Sequence, residues 1–204
     1  MKKQIIMLGI AVMLLAVGLS GCTETEEKPT GKLVTAPLST LALTIDDFPQ
    51  GYIKWTENTN QSLFSTGNIS IEGYSVTFVF ESHENNTGFP PISLSLAKFN
   101  SSDDASIAMY NSSEQISKEY GILNRITPED VKQIGDESTY ELFQGSMGEY
   151  YGYQNVTVSL SWFRINNVVV FMFLQGFPVW EIDYTRLTID YSKIVESAIN
   201  ASLD

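Results

Sequence analysis

Cysteine and histidine are almost absent from this sequence, whose 204 residues include one of each, Cys22 and His83. A single cysteine cannot form a disulfide within the chain, so a hydrophobic core has to stabilise the fold. Metal sites recruit several cysteine, histidine or carboxylate ligands at suitable spacing, and one histidine in a polar loop does not form such a set. The sequence therefore predicts no metal site, and we expect no cofactor.

Motifs of nucleophilic and phosphate chemistry are also missing. No Gly-x-Ser-x-Gly turn occurs to expose a serine nucleophile, and there is no glycine-rich phosphate loop. Paired carboxylates could act as acid and base, but two of the pairs in the domain lie where helix N-termini favour acidic side chains. We assign no catalytic residue and expect no enzyme, with a hydrolase that uses acidic residues as an alternative. The pairs are Asp46-Asp47, Asp103-Asp104, Glu129-Asp130 and Asp136-Glu137.

Basic residues are scarce, with 12 lysines and arginines against 24 aspartates and glutamates and a formal net charge of −12. Nucleic acids bind proteins mainly through lysine and arginine, so no nucleic-acid partner is expected. Long apolar runs are scarce as well. Residues 5–19 form an uncharged run of 15 residues, which is shorter than the roughly 20 residues that a transmembrane helix needs.

The N-terminus has the pattern of a secretory signal, because two lysines precede the apolar run and small residues follow it. Leu19-Ser20-Gly21-Cys22 resembles the lipobox of prokaryotic lipoproteins, in which the cysteine sulfur receives a diacylglyceryl group. The resemblance implies a signal peptide over 1–21, a lipidated Cys22 and flexible linker over 22–38, and a single domain over 39–204. The alternative is an uncleaved membrane anchor in which Cys22 is incidental.

Both interpretations place the domain outside the cytoplasm. Two acyl chains on Cys22 would hold the protein on the outer face of the cell membrane, so the membrane is an expected partner. Cleavage would remove Lys2 and Lys3 and leave ten basic residues against 24 acidic ones, a net charge of −14. Such a charge suits a soluble body tethered beside a membrane or in a salty medium.

The N-glycosylation acceptor pattern, Asn-x-Ser/Thr, occurs seven times, whereas composition alone predicts about two occurrences. Archaea use this acceptor widely, and most bacteria lack general N-glycosylation. A lipobox together with many acceptors therefore favours an archaeal surface glycoprotein; the alternative is a composition rich in Asn, Ser and Thr without glycans. The candidate acceptors are Asn60, Asn68, Asn85, Asn100, Asn111, Asn155 and Asn200.

Strands separated by helices predict an α+β fold built on a mostly antiparallel sheet. A helix capped by Ser101 and Asp104 is expected to end near Gly121 and to bury Ala105, Ala108, Met109, Ser112 and Ile116. A second helix closes the chain, with an apolar stripe of Leu187, Tyr191, Ile194, Val195, Ala198 and Ile199. Strands are expected over 43–52 (broken at Pro49), 72–82, 91–99, 138–143 and, as a hairpin that turns at Asn166-Asn167, 155–176.

The hairpin is expected to lie at the centre of the fold. In its first strand, apolar residues from Val156 to Trp162 alternate with Thr157, Ser159 and Ser161, which predicts that one face is buried and the other is not. The second strand is apolar from Val168 to Leu174, which predicts that both of its faces are covered.

An ordered series of short motifs runs through the domain: "DDFPQGY", "KFNSSDDA", "IGDES" and "FRINNVVVFMFLQG". The series resembles small secreted lipoproteins of the PsbP-like type, including the LpqN-like and kinase sensor-like extracellular domains. Gly135-Asp136-Glu137 and Arg164 match recurring positions, and no catalytic set accompanies them. The resemblance implies a curved antiparallel sheet flanked by helices and a binding or accessory role.

Tyrosines and glycines are concentrated in residues 140–155. Tyrosine combines a large rigid surface with a hydrogen-bonding tip, so this stretch is a candidate binding surface; the alternative is packing at a strand edge. We therefore interpret the chain as a non-enzymatic accessory or recognition domain, with other surface proteins or a small ligand as partners. A small-molecule binding or sensor domain is the first alternative. The candidate surface residues are Tyr140, Phe143, Tyr150, Tyr151 and Tyr153.

Overall fold

A computed structural model of the protein describes residues 32–59, 70–81, 89–126, 128, 131–146, 155–178 and 181–203. These residues all belong to one unit, Lys32–Asp204. Within the described ranges, seven strands form one antiparallel sheet in the order β1-β2-β3-β7-β6-β5-β4. Their bounds are β1 Tyr52–Thr59, β2 Ser70–Phe80, β3 Ile92–Phe99, β4 Asn124–Ile126, β5 Glu137–Ser146, β6 Asn155–Ile165 and β7 Val168–Gly176.

Two helices accompany the sheet: α1, Ser102–Glu119, connects β3 to β4, and α2, Tyr184–Ala201, follows β7. The predicted α+β class, with an antiparallel sheet flanked by two helices, is confirmed. The predicted cap of α1 is also confirmed, because the Ser101 hydroxyl accepts a hydrogen bond of 3.1 Å from the Asp104 amide. The inner face of α1 is the predicted one, with Ile116 only partly buried.

The β6–β7 hairpin turns at Asn166-Asn167 as predicted, with Ile165 paired to Val168. Asn166 has a φ of 52°, a left-handed conformation that asparagine tolerates better than most residues. The Asn167 side chain is buried and accepts a hydrogen bond of 2.8 Å from the Val34 amide. It also donates to the Phe99 carbonyl oxygen at 2.9 Å. The Asn167 side chain therefore joins the β6–β7 turn to the backbone of Val34, near the N-terminal end of the unit, and to the end of β3.

The two faces of the sheet are covered by different elements. α1 lies on one face, where Trp162 stacks on Phe171 with ring centroids 4.0 Å apart. α2 lies on the other face together with residues 32–48, which we name the N-terminal strap. The strap buries Val34, Leu38 and Leu41 against the sheet. Residues 32–38, predicted to be part of a flexible linker, lie in the same unit as the sheet.

The predicted strand over 43–52 is wrong. Ile45–Asp47 forms a single 3-10 turn, capped by reciprocal bonds between Thr44 and Asp47, and the strand begins only at Tyr52. Local side-chain bonding of this kind competes with strand formation. β4 and most of β1 were not predicted.

The prediction that β6 has one exposed face is also wrong. Thr157, Ser159 and Ser161 are at most 2% exposed because α2 covers them. The buried stripe of α2 also differs from the predicted one. It includes Thr188 and Ser192, whose hydroxyl groups face β6, whereas Ile194, which was predicted to be buried, is 39% exposed. The stripe is Tyr184, Thr188, Tyr191, Ser192, Val195 and Ile199.

Candidate functional site

A cleft of about 670 Å³ lies between α2 and the β4–β5 end of the sheet. We name it the α2–β5 cleft. This volume falls within the ~300–1,000 Å³ typical of small-molecule sites. Its apolar lining consists of Ile126, Pro128, Leu142 and Ile189. Ile126 and Leu142 are cross-strand partners on β4 and β5, so the pairing of these two strands brings both side chains to the cleft.

A smaller cavity of about 260 Å³ shares Pro128 with the cleft and is lined by Ser138 and Tyr140. Because side chains alternate along a strand, residues 138, 140 and 142 lie on the same face of β5. The Tyr140 hydroxyl is 2.8 Å from the Ser159 hydroxyl on the next strand. Burial raises the pKa of the Tyr140 phenol, so this group stays neutral as a hydrogen-bonding side chain.

The helical wall of the cleft carries charged side chains at spacings of three and four residues. Asp183, Arg186, Asp190 and Lys193 all line it. Asp183 caps α2, because its carboxylate accepts a hydrogen bond of 2.9 Å from the Arg186 amide. Asp190 pairs with Arg186, with 3.6 Å between its Oδ2 and the guanidinium Nε. Both acidic side chains of this wall therefore have partners within α2.

The candidate surface predicted around the tyrosines is divided by the sheet. Tyr140 lines the smaller cavity on the α2 side, whereas Phe143 is 2% exposed and packs under α1 on the opposite face. Strand alternation separates them, because the two residues are three positions apart on β5. Tyr150, Tyr151 and Tyr153 lie outside the described residues.

The charged residues of the cleft wall were not predicted from the sequence. Arg186, Asp190 and Lys193 lie at helical spacing beside the buried stripe of α2, a pattern that was visible in the sequence. Charges at this spacing are equally typical of a solvated helix face. Their position opposite β5 follows only from the packing of α2 on the sheet.

Gly135-Asp136-Glu137 and Arg164 form a structural junction. The Arg164 guanidinium lies 3.1 Å from a carboxylate oxygen of both Asp136 and Glu137. Glu137 also accepts a hydrogen bond of 2.8 Å from Ser106 of α1. Gly135 has a φ of +64°, and a Cβ there would lie 2.4 Å from the Arg164 carbonyl oxygen. These contacts join β5, β6 and α1, and they explain why the motif contains this glycine.

A second groove of about 490 Å³ lies between the strap and β1–β2. Tyr52, Tyr74 and Phe78 line it, and Lys54 and Glu57 stand at its rim. These two charged groups pair with each other, and Glu57 also accepts a hydrogen bond of 2.7 Å from the Tyr74 hydroxyl. The polar groups of this groove thus have partners within the protein.

Four candidate glycosylation sites fall on described residues, and all four side chains are exposed: Asn100, Asn111, Asn155 and Asn200. Asn60, Asn68, Asn85, Cys22 and His83 lie outside the described residues. None of the four described asparagines is a lining residue of the cleft or of the smaller cavity.

The described ranges contain no cluster of three His, Cys, Asp or Glu side chains suited to a metal ion. Neither helix of that part of the chain is long and apolar enough to span a membrane.

The fold is similar to that of the extracellular domain of PknH from Mycobacterium tuberculosis in its crystal structure. The TM-score is 0.56 at 12% sequence identity, and the match covers 84% of this chain and 100% of that chain. No protein-family model matches the sequence, and no curated protein matches it. At this identity the likeness establishes a shared fold.

Proposed function

We propose that this chain is a lipid-anchored protein on the outer face of the cell membrane whose domain binds a small molecule. The domain is a non-enzymatic recognition domain, and the α2–β5 cleft is its binding site. The cleft carries the proposal, because an apolar lining with a few convergent polar groups is the usual form of a small-molecule site. Ile126, Leu142 and Ile189 supply the apolar surface, and the smaller cavity adds the hydroxyl groups of Ser138 and Tyr140.

Partnered carboxylates favour binding over hydrolysis. Asp183 is engaged by the N-terminus of α2, and Asp190 is engaged by Arg186. A carboxylate-dependent hydrolase needs two acidic side chains directed at the same bond of the substrate. In the cleft, Asp183 and Asp190 are instead directed along their own helix.

The location outside the cytoplasm is supported by three independent observations. The sequence Leu19-Ser20-Gly21-Cys22 has the lipobox pattern, and four candidate glycosylation sites are exposed. The structurally similar PknH domain is described as extracellular. Membership of the PsbP-like group and an archaeal origin belong to the same proposal, and they are supported by the motif series and the number of acceptors.

Replacing Ile126 by Asp tests the cleft. Ile126 is 36% exposed on the short edge strand β4, so the substitution should leave the fold intact while placing a charge in the apolar lining. We expect binding of the neutral dye N-phenylnaphthylamine, measured by fluorescence, to fall at least tenfold. Ile122→Asp, at a side chain 76% exposed outside the cleft, is the matched control. Equal dye affinity in both variants and the parent would refute the cleft as the binding site.

Replacing Cys22 by Ser tests the anchor. The variant should leave the membrane fraction or accumulate with its signal peptide uncleaved, because the sulfur that accepts the lipid is lost. Intact mass of protein from the native source reports both lipid and glycans. Unchanged lipid labelling of the variant, or a native mass equal to that of the bare chain, would contradict the corresponding part of the proposal.

A further inference from the structure

We infer that the ligand of the α2–β5 cleft is an amphipathic organic anion, with an apolar body and one acidic group held between Lys132 and Lys193. This inference rests on the proposed function and adds the chemical class of the ligand. The apolar body would lie on Ile126, Leu142 and Ile189, and both lysines line the same cleft. The acidic group can be a carboxylate, a sulfate or a phosphate, which share the negative charge that two ammonium groups recognise.

Nearly all other basic side chains of the described ranges are already paired. Of the nine lysines and arginines there, six lie within 3.6 Å of a carboxylate, and Lys32 also has an interaction partner. Lys132 and Lys193 are the remaining two, and no ion pair within the described ranges includes either of them. The paired six are Lys54, Lys98, Lys118, Arg125, Arg164 and Arg186.

The acidic side chains of the cleft do not neutralise these lysines. Asp183 accepts the helix N-terminal amide, and Asp190 lies against Arg186. Both lysines are exposed, so each ammonium is available to an anion at the cleft and contributes a modest, solvent-screened attraction. In a chain of net charge −12, two unpaired cations at one cleft reduce the repulsion that an anion meets elsewhere on the surface.

The two lysines come from segments that are far apart in the sequence. Lys132 belongs to the segment that connects β4 to β5, and Lys193 lies in the middle of α2. They reach one cleft because β5 pairs with β6 and α2 packs on β6. The second groove, under the strap, differs from the cleft in this respect. Its charged side chains, Lys54 and Glu57, pair with each other and leave no cation for a ligand.

Two dyes that differ by one charge test the inference. Anilinonaphthalene sulfonate has an aromatic body and one sulfonate, and N-phenylnaphthylamine has the same body without the charge. The double variant Lys132→Gln/Lys193→Gln should bind the sulfonate dye about tenfold more weakly, as expected for two exposed charge contacts, and the neutral dye with unchanged affinity. Lys132→Arg/Lys193→Arg should retain the parent affinity for both dyes. Lys118→Gln, at a lysine on α1, is the matched control.

The outcomes distinguish a failure of the cleft as a binding site from a failure of the anionic ligand class. If Ile126→Asp removes both dyes but the double glutamine variant binds the sulfonate dye like the parent, the cleft binds ligands and the anionic class is wrong. If neither dye responds to Ile126→Asp, the proposed function itself fails. A tenfold loss for the sulfonate dye alone, together with unchanged melting temperature, supports the inference; an equal loss in Lys118→Gln would overturn it as a general charge effect.

Discussion

Glu141 is an acidic side chain of β5 that is buried, with 3% of its surface exposed. One of its oxygens lies 2.7 Å from the Arg125 guanidinium of β4, and the other accepts a hydrogen bond from Ser117 of α1. A buried carboxylate is tolerated only when charge and hydrogen bonds compensate its lost hydration. Glu141 therefore holds the short edge strand β4 to the sheet, on the face opposite to the cleft.

Removing Arg125, the partner of Glu141, should lower the free energy of unfolding more than breaking an exposed ion pair does. We predict that Arg125→Ala lowers the free energy of unfolding by about 1–3 kcal/mol, because it leaves the Glu141 carboxylate buried without a cation. Lys118→Ala breaks the exposed Lys118–Glu114 pair and should cost about 0.5 kcal/mol or less. Urea denaturation measures both values. Equal losses in the two variants would show that Glu141 does not depend on Arg125.

At the scale of elements, small hydroxyl side chains form the contact between β6 and α2. Ser159 lies 2.6 Å from Thr188 and 2.8 Å from the Tyr140 hydroxyl. Ser192 donates to Ser161 at 3.3 Å. Small side chains let a helix approach a sheet closely, and their mutual hydrogen bonds satisfy the buried oxygens. This close approach also sets the distance between α2 and β5, and hence the width of the cleft.

A larger side chain in this contact should displace α2. Ser159→Leu is expected to lower the free energy of unfolding by about 1–3 kcal/mol, because it overfills a packed interface and removes the hydrogen bonds of the Ser159 hydroxyl. Binding of the neutral dye should weaken as well, since the cleft wall moves. Ser197→Leu introduces the same side chain on the exposed face of α2 and should change neither quantity. Calorimetric melting and dye fluorescence provide the two readouts, and a neutral Ser159→Leu would contradict the close packing.

At the scale of the whole molecule, the buried tyrosines of the described residues are concentrated on the face of the sheet that carries α2 and the strap. Burial raises the pKa of the phenols of Tyr52 and Tyr74, and it raises that of Tyr184 from 10.0 to about 12. The pKa of Tyr191 is raised by burial and by the nearby carboxylates of Asp47 and Asp190. The buried apolar cluster of the opposite face contains Trp, Phe, Met, Leu, Val and Ala side chains and no fully buried tyrosine.

The protein should therefore lose stability at alkaline pH. In the unfolded chain the phenols lose their protons near pH 10, whereas the folded protein retains them to higher pH, so the unfolded state binds fewer protons and stability falls as pH rises above about 10. Tyr52→Phe should reduce the difference in urea midpoint between about pH 8 and pH 11. Tyr110→Phe, at a ring 67% exposed, should leave that difference unchanged. A Tyr52→Phe profile identical to that of the parent would contradict the assignment.

Local patterns in the sequence were sufficient to predict the elements whose conformation depends mainly on neighbouring residues. The Ser101 cap, the Asn166-Asn167 turn and the continuous apolar run of β7 are each specified by residues next to one another. Propensity and capping act over a few residues, so such features are readable without the fold. The α+β class followed from the order of these elements. The short polar β4 and the mostly exposed β1 lack a strong alternation, and their pairing with neighbouring strands makes them strands.

The candidate site could not be predicted from such local patterns. Lys132, Leu142 and Lys193 are distant in the sequence, and each is compatible with an ordinary surface or edge position. They line one cleft because β5 pairs with β6 and α2 packs on the hydroxyl face of β6. The same packing buried Thr157, Ser159 and Ser161, whose polarity indicated an exposed face. Polarity alone does not reveal whether a hydroxyl faces water or another hydroxyl. Local sequence therefore determined the two helices, the hairpin and the order of these elements, whereas contacts between distant segments decided the edge strands and which side chains meet at the cleft.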